Sequence, residues 1–229
     1  MNMSKQTAIW SAALLASVMM GVSAEASSWN WSSLGVEPSE KVGSFKSDDF
    51  MAHGAHMMTP YLQPAAGDTY ITNINAAIAR EKAIFQKRME QDNKTEKTEG
   101  WMVWHEGILP NPKESTSYSS LTSIVLIEQV LHAGRAHGET YAKGLTFDGE
   151  GNEVTLKDLL PAITVEYVNT CIEASARKKG INVFDNAEVT ELPDNFYVGK
   201  NHVVYVLFQQ YDIAPYSEGV ISIPVGKLS

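Results

Sequence analysis

Cysteine and basic residues are scarce in this sequence of 229 residues. Cys171 is the single cysteine, which excludes an internal disulfide and leaves stability to a packed core. Lysine and arginine together number 18 against 27 acidic residues, a formal net charge of −9, and this balance argues against a nucleic-acid-binding protein. A hydrophobic content of 44% is ordinary for a globular chain.

Long apolar runs are also absent, with one exception near the amino terminus. Ala8 to Val22 is apolar and uncharged, follows Lys5, and leads into small residues at positions 22–24. The pattern predicts an export signal over residues 1–24, because the run is short for a bilayer span. Cleavage after Ala24 leaves 17 basic against 27 acidic residues, a net charge of −10. We therefore expect an exported protein, periplasmic or extracellular, without a membrane span after cleavage.

Residues 25–49 are rich in serine and predict a polar arm or linker. Trp29 and Trp31 in this arm either stack on sugar rings of the cell wall or dock on the domain surface, and the sequence leaves both open. His53 and His56 lie three positions apart, which is a weak metal pattern without a helical host or a nearby carboxylate. We expect these two histidines to be solvent-exposed.

Two amphipathic helices are predicted. The first covers Asp68 to Gln91, with Asp68 or Thr69 as its cap. Its expected apolar stripe comprises Ile71, Ile74, Ile78, Phe85 and Met89, widened by Ala77 and Ile84.

The second helix opens at Thr155, which forms a capping-box pattern with Asp158. A short first turn ends at Leu160, Pro161 suits the first position of the longer part, and Gly180 suits its end. The expected buried stripe contains Ile163, Tyr167, Cys171 and Ile172, with Val168 and Ala174 nearby. A buried thiol is therefore expected at Cys171 rather than a reactive one.

Strands are predicted at residues 101–109, 119–132 and 139–148. A hairpin follows from Phe196–Val198 through a turn at residues 199–201 into His202–Phe208. The second arm of this hairpin is apolar on both alternating faces, which is typical of a central strand covered on both sides. Pro215 ends the ladder and Gly219 releases a last strand.

The segment Tyr211-Asp212-Ile213-Ala214-Pro215-Tyr216 forms an ordered corner with two interpretations. In the structural one, the two tyrosines bury their rings and bond their hydroxyls to the corner. In the functional one, Asp212, Tyr216 and Glu218 form a recognition loop.

Residues 211–219, Tyr-Asp-Ile-Ala-Pro-Tyr-Ser-Glu-Gly, resemble the Tyr-Glu-Ile-Ala-Pro-Tyr-Ala-Ala-Gly signature of a bacterial extracytoplasmic module. Residues 135–138 (Arg-Ala-His-Gly), 145–148 and 155–160 resemble further parts of it. That module belongs to lysozyme-sensing anti-sigma factors of the RsiV type and accompanies peptidoglycan deacetylases of the PdaC type. Asp212 and Ser217-Glu218 depart from its pattern, and so does Ala133-Gly134-Arg135, where paired glycines are usual.

The sequence predicts an α+β fold, with two amphipathic helices packed on a mainly antiparallel mixed sheet. Its halves, residues 50–138 and 139–229, are expected to share one sheet, as the resemblance implies.

Motifs for chemistry are incomplete. His105 and Glu106 are adjacent on a strand and therefore point to opposite faces. The loop after Asp148 lacks the glycine and glutamate of a calcium loop, and the Thr146–Gly149 segment lacks the second aspartate of a deacetylase metal motif. We therefore expect no catalytic residue, no metal and no cofactor.

Two function classes remain. The first is an exported cell-envelope binding module without catalysis of its own, which engages a lysozyme-like protein or a peptidoglycan component. The second is a peptidoglycan-modifying enzyme or an accessory domain of one. The candidate binding residues are Arg135, His137, Asp212, Tyr216 and Glu218.

Overall fold

The computed structural model describes residues 45–63, 67–110 and 118–228. The strands are β1 (Lys46–Ala52), β2 (Ala55–Tyr61), β3 (Thr98–Ile108), β4 (Thr122–His132), β5 (Glu139–Phe147), β6 (Phe196–Val198), β7 (Val203–Phe208) and β8 (Ile221–Lys227), and the α-helices are α1 (Thr69–Asp92), α2 (Leu156–Leu159) and α3 (Val165–Lys179). The predicted α+β class is confirmed.

The first sheet has five strands in the order β1-β2-β3-β4-β5. Its neighbours are antiparallel except β2 and β3, which run parallel because α1 connects them as a crossover. A tight turn joins β1 to β2, and both of its central residues, His53 and Gly54, have positive φ, as primed hairpin turns require.

The second sheet has three antiparallel strands in the order β6-β7-β8. The predicted hairpin is confirmed, and β7 is the central strand. The two halves share the first sheet, as expected, because β5 of the second half pairs with β4 of the first half, but β6, β7 and β8 form a separate sheet that was not expected. At Gly144 the β6 backbone crosses the face of β5, where a Cβ would lie 1.9 Å from the Phe196 carbonyl oxygen. Since β6 crosses β5 instead of running along its edge, it starts a second sheet.

The layers stack as α1, first sheet, second sheet, α3. The alternation along β4 shows this directly: Ile124 and Leu126 pack with the α1 residues, whereas Val125 and Ile127 pack with Tyr197 and Leu207 of the second sheet. The opposite face of the second sheet forms a core with α3. Both sheets are therefore covered on both faces along their central strands.

The outer edge of β5 is closed by side-chain amides instead of a sixth strand. Asn195 accepts from the Gly144 N–H at 2.9 Å and donates to the Ala142 carbonyl at 2.8 Å. Gln209 accepts from the Ala142 N–H at 2.9 Å and donates to the same carbonyl at 2.8 Å. Gln210 accepts from the Thr140 N–H at 2.9 Å. These three residues, Asn195, Gln209 and Gln210, are called the amide clamp below.

The first helix agrees with its prediction. Asp68 caps it, accepting from the Ile71 N–H at 3.1 Å, and Ile74, Ala77, Ile78, Phe85 and Met89 are buried. The prediction that Ile84 widens the apolar stripe is wrong, because its side chain is 56% exposed.

The second helical region differs from its prediction in register. The capping box of Thr155 and Asp158 is present and opens the short α2, which ends at Leu160 as predicted. Pro161 lies in a turn, and α3 begins at Val165 because Thr164 caps it through the Tyr167 N–H. The buried face of α3 contains Val168, Ile172, Ser175 and Ala176, so Tyr167 and Ala174 are exposed and Cys171 is only partly buried.

The predicted export signal, residues 1–24, lies outside the described residues, and so does most of the predicted arm. The end of that arm is strand, since β1 begins at Lys46. Among the described residues, no helix is long and apolar enough to cross a membrane.

Candidate functional site

The structure brings together the two segments that contain the sequence-predicted binding residues. The Tyr216 hydroxyl donates to the Gly138 carbonyl oxygen at 2.7 Å. The His137 ring stacks on the Tyr216 ring, with 3.9 Å between centroids and 28° between planes. The turn between β4 and β5 and the corner after β7 therefore form one surface.

Tyr211 completes this surface. Its ring centroid lies 6.0 Å from that of Tyr216, and its side chain is 61% exposed. Its backbone has φ of 70°, a left-handed conformation that is rare for a bulky residue and costs on the order of 1–3 kcal/mol. We call His137, Tyr211 and Tyr216 the ring cluster.

The corner is held from below by buried apolar residues. Ile213 and Ala214 are each 2% exposed, and the Ile213 carbonyl accepts from the Phe184 N–H at 2.9 Å. Pro215 precedes a single 3-10 turn over Tyr216–Glu218, and Gly219 ends it with φ of 68°. The conformation is therefore fixed from both ends, which orients Tyr216 toward Gly138.

Asp212 and Glu218 bond within the corner itself. Asp212 accepts from the Gln209 N–H at 2.6 Å, which closes the tight turn that contains Tyr211. Glu218 accepts from the Asn182 side chain at 3.1 Å and from its backbone N–H at 3.3 Å. Both carboxylates thus stabilise the shape of the corner.

Arg135 holds the neighbouring turn through two carboxylates. Its guanidinium donates to Glu96 at 2.9 Å and to Glu139 at 3.1 Å. His132, which is 6% exposed, lies beside Thr98 at 3.1 Å and has its Nδ1 2.9 Å from Glu96. These contacts fix the turn on which His137 is exposed.

The ionic contacts continue toward α1. Arg88 donates to Glu139 at 2.7 Å and lies 4.3 Å from the centre of the Tyr141 ring. Glu128 lies 3.8 Å from the same guanidinium, with 18% of its side chain exposed. Burial raises the pKa of Glu128 to about 7, and the nearby Arg88 charge opposes this shift only in part.

The other sequence candidates lie elsewhere. His53 is part of the β1–β2 turn, where it is exposed, whereas His56 is partly buried and contacts Asp49. Asp148 accepts from the backbone N–H groups of Glu150 at 2.8 Å and Asn152 at 2.9 Å, and these bonds contribute to lowering its pKa. In the described ranges, no group of three histidine, cysteine or acidic side chains is arranged to hold a metal ion.

Two shallow clefts of about 350 and 420 Å³ lie away from the ring cluster. The first lies between β1, β2 and α1, and the second is lined by residues of the α2–α3 connection and the end of β8. The ring cluster lines neither of these two clefts.

Tyr211 was not among the binding residues predicted from the sequence. The sequence placed it at the corner, but the structural interpretation expected both tyrosine rings to be buried. The Tyr216 hydroxyl instead bonds Gly138 outside the corner, and the Tyr211 ring is exposed, so that interpretation is wrong on both points. The available signal was the aromatic residue directly before Asp212, between a buried strand and a proline.

Comparisons with known proteins give a partial match to a domain of unknown function, which includes Tyr211 and Tyr216 but not His137. Residues 152–227 match the sequence model of the DUF3298 family, described as a protein of unknown function. No curated protein matches the chain. Among solved structures, the chain is similar to a DUF3298 family protein from Pseudomonas aeruginosa, with 12% identity and a TM-score of 0.52, over 83% of this chain and 92% of that one. At this identity the likeness shows the fold alone.

Proposed function

We propose that the protein is an exported binding module of the cell envelope, without catalysis of its own, and that the ring cluster is its binding surface. Its partner is a lysozyme-like protein or a peptidoglycan component.

This proposal rests on one observation: Tyr211, whose backbone is strained and whose ring is exposed, lies beside the stacked rings of His137 and Tyr216. Backbone strain persists only where the surrounding structure enforces it, and such residues concentrate at functional sites. Tyrosine is also favoured at binding surfaces, since it offers a large rigid contact area at a small entropic cost. The exposed Tyr211 ring has both properties.

The resemblance to the RsiV and PdaC modules supports the envelope as the setting. Two of the segments that carry it, residues 135–138 and 211–219, contribute to the surface that contains the ring cluster. Lysozymes of the c-type are strongly basic, and the expected mature chain has a net charge of −10, after removal of Lys5 from 18 basic residues against 27 acidic ones. Charge alone gives only an association that salt screens.

The test is calorimetric titration of the chain from Glu25 with c-type lysozyme and with solubilised peptidoglycan fragments, at about 20 mM and about 150 mM salt. Tyr211→Ala is the test variant. Its matched control is Tyr167→Ala, which removes a tyrosine that is 51% exposed. Tyr167 lies in the first turn of α3, about 18 Å along the helix axis from the Lys179 end that leads toward the corner.

Binding that survives at the higher salt and weakens at least tenfold in Tyr211→Ala, about 1.4 kcal/mol, with Tyr167→Ala unchanged, supports the proposal. The proposal is overturned if neither ligand binds. It is also overturned if Tyr211→Ala and Tyr167→Ala bind with equal affinity.

Export has its own test. We expect the mature protein to begin at Glu25 outside the cytoplasm, because residues 22–24 are small and follow an apolar run. Amino-terminal sequencing of the exported protein measures this directly, and an intact Met1 in a membrane fraction contradicts it.

A further inference from the structure

We infer that the ring cluster takes a neutral glycan, with one sugar ring packed on the exposed face of Tyr211 and its neighbour toward His137. This inference rests on the proposed binding function and narrows its two partners to one chemical class.

The first argument is that Arg135, Asp212 and Glu218, the charged side chains predicted at this surface, already make bonds within it. Arg135 donates to Glu96 and Glu139, Asp212 accepts from the Gln209 N–H, and Glu218 accepts from Asn182. An anionic ligand that needed the Arg135 charge would first have to displace Glu96 or Glu139. The geometry therefore disfavours an anionic ligand.

The second argument concerns the ring faces that stay exposed to solvent. The Tyr216 hydroxyl is bonded to Gly138, and one face of its ring is covered by His137. Tyr211 remains 61% exposed, beside an exposed His137. The surface thus presents aromatic faces rather than a set of polar groups.

The third argument is size. A stable protein–protein interface buries about 800 Å² on each partner, around aromatic anchors in a well-packed apolar centre. Here three rings lie between ion-paired side chains, such as Arg135 with Glu96 and Glu139. A single aromatic platform of this extent matches a ligand that is flat and apolar on one face and has hydroxyls at its edge. A pyranose ring of an uncharged N-acetylated sugar has this shape.

Fixed geometry makes the platform suitable for a weakly interacting ligand. The Asp212 carboxylate closes the turn around Tyr211, and the amide clamp holds the two preceding residues against β5. The ring is therefore oriented before binding, which reduces the entropy lost when a flexible saccharide docks.

The experiment uses a soluble oligosaccharide of N-acetylglucosamine as the probe and the chain from Glu25 as the receptor. The variants are Tyr211→Ala, Tyr211→Phe and the control Tyr167→Ala. We expect Tyr211→Ala to lose at least tenfold in affinity, while Tyr211→Phe and Tyr167→Ala stay within about threefold of the natural chain. We also expect the affinity to change less than about twofold between low and physiological salt, because no charged pair forms.

The outcomes separate this inference from the proposed function. If the oligosaccharide fails to bind while lysozyme binds and depends on Tyr211, the glycan inference is wrong and the binding function stands. If the oligosaccharide binds equally well to Tyr211→Ala, the ring is not its platform and the inference is again wrong. If neither ligand class binds, the proposed function fails as well.

Discussion

Glu128 gives the most quantitative prediction, because its carboxylate is buried between the first sheet and α1. Its side chain is 18% exposed and lies 3.8 Å from Arg88, whose closest acidic partner is Glu139 at 2.7 Å. Replacement by glutamine keeps the shape of the side chain and removes its charge. Arg88 retains Glu139, so the substitution leaves no unpaired cation.

The expected magnitude follows from the pKa. Burial raises the pKa of Glu128 from 4.5 to about 7. A folded-state pKa above the unfolded value means that the native protein binds the proton more tightly. The stability that protonated Glu128 contributes is therefore fully present below pH 4.5 and is lost as the pH rises through 7. At about 1.4 kcal/mol for each pH unit between the two pKa values, the loss is about 3 kcal/mol.

Urea unfolding between pH 4 and pH 8 measures this effect. Glu128→Gln should match the natural chain near pH 4 and exceed its free energy of unfolding by up to about 3 kcal/mol at pH 8. The matched control is Glu173→Gln on α3, whose side chain is 66% exposed and which should show no pH-dependent gain. Parallel pH curves for Glu128→Gln and the natural chain would show that Glu128 ionises as an ordinary surface glutamate.

Three further predictions concern the backbone and the thiol. Gly144→Ala should prevent folding or lower the free energy of unfolding by more than about 3 kcal/mol, because its Cβ would lie 1.9 Å from the Phe196 carbonyl oxygen. The control Gly134→Ala should cost only about 1 kcal/mol in thermal unfolding, because Gly134 has a positive φ but no atom within 4 Å of the added Cβ. Equal losses in the two variants would refute the crossing of β6 over β5. Tyr211→Gly should raise the unfolding free energy by up to about 1 kcal/mol by relieving left-handed strain, and a clear loss of stability would mean that the ring is structural. Cys171 should react with a thiol reagent more slowly than free cysteine, because burial raises its pKa; an equal rate contradicts this.

The sequence correctly predicted the helix ends that are set by a single capping residue. Asp68 caps α1, and Gly180 ends α3 with φ of 69°. Such ends are set within one helical turn, so the sequence around them is sufficient. The start of α3 was misjudged because Pro161 and Thr164 both suit a helix start, and the cap formed by Thr164 decided between them.

The missed features depend on contacts between distant segments. β1 is exposed along nearly its whole length and shows no alternation, and β2 contains Pro60, so neither has the pattern of a strand. The division into two sheets depends on the β5 edge, which side-chain amides close without any periodic signal. The resemblance pointed to both segments of the site, but the exposure of Tyr211 follows from a backbone conformation that no spacing reveals.

The amide clamp has a consequence for how this surface can change over generations. Gln209 and Gln210 directly precede Tyr211 and bind the β5 backbone, whose N–H and carbonyl groups are the same whatever side chains β5 carries. The residues that locate the corner are therefore separate from the residue that the corner exposes. Position 211 can be exchanged for another side chain without removing any of these bonds, so the placement of the corner and the side chain that it exposes can vary independently.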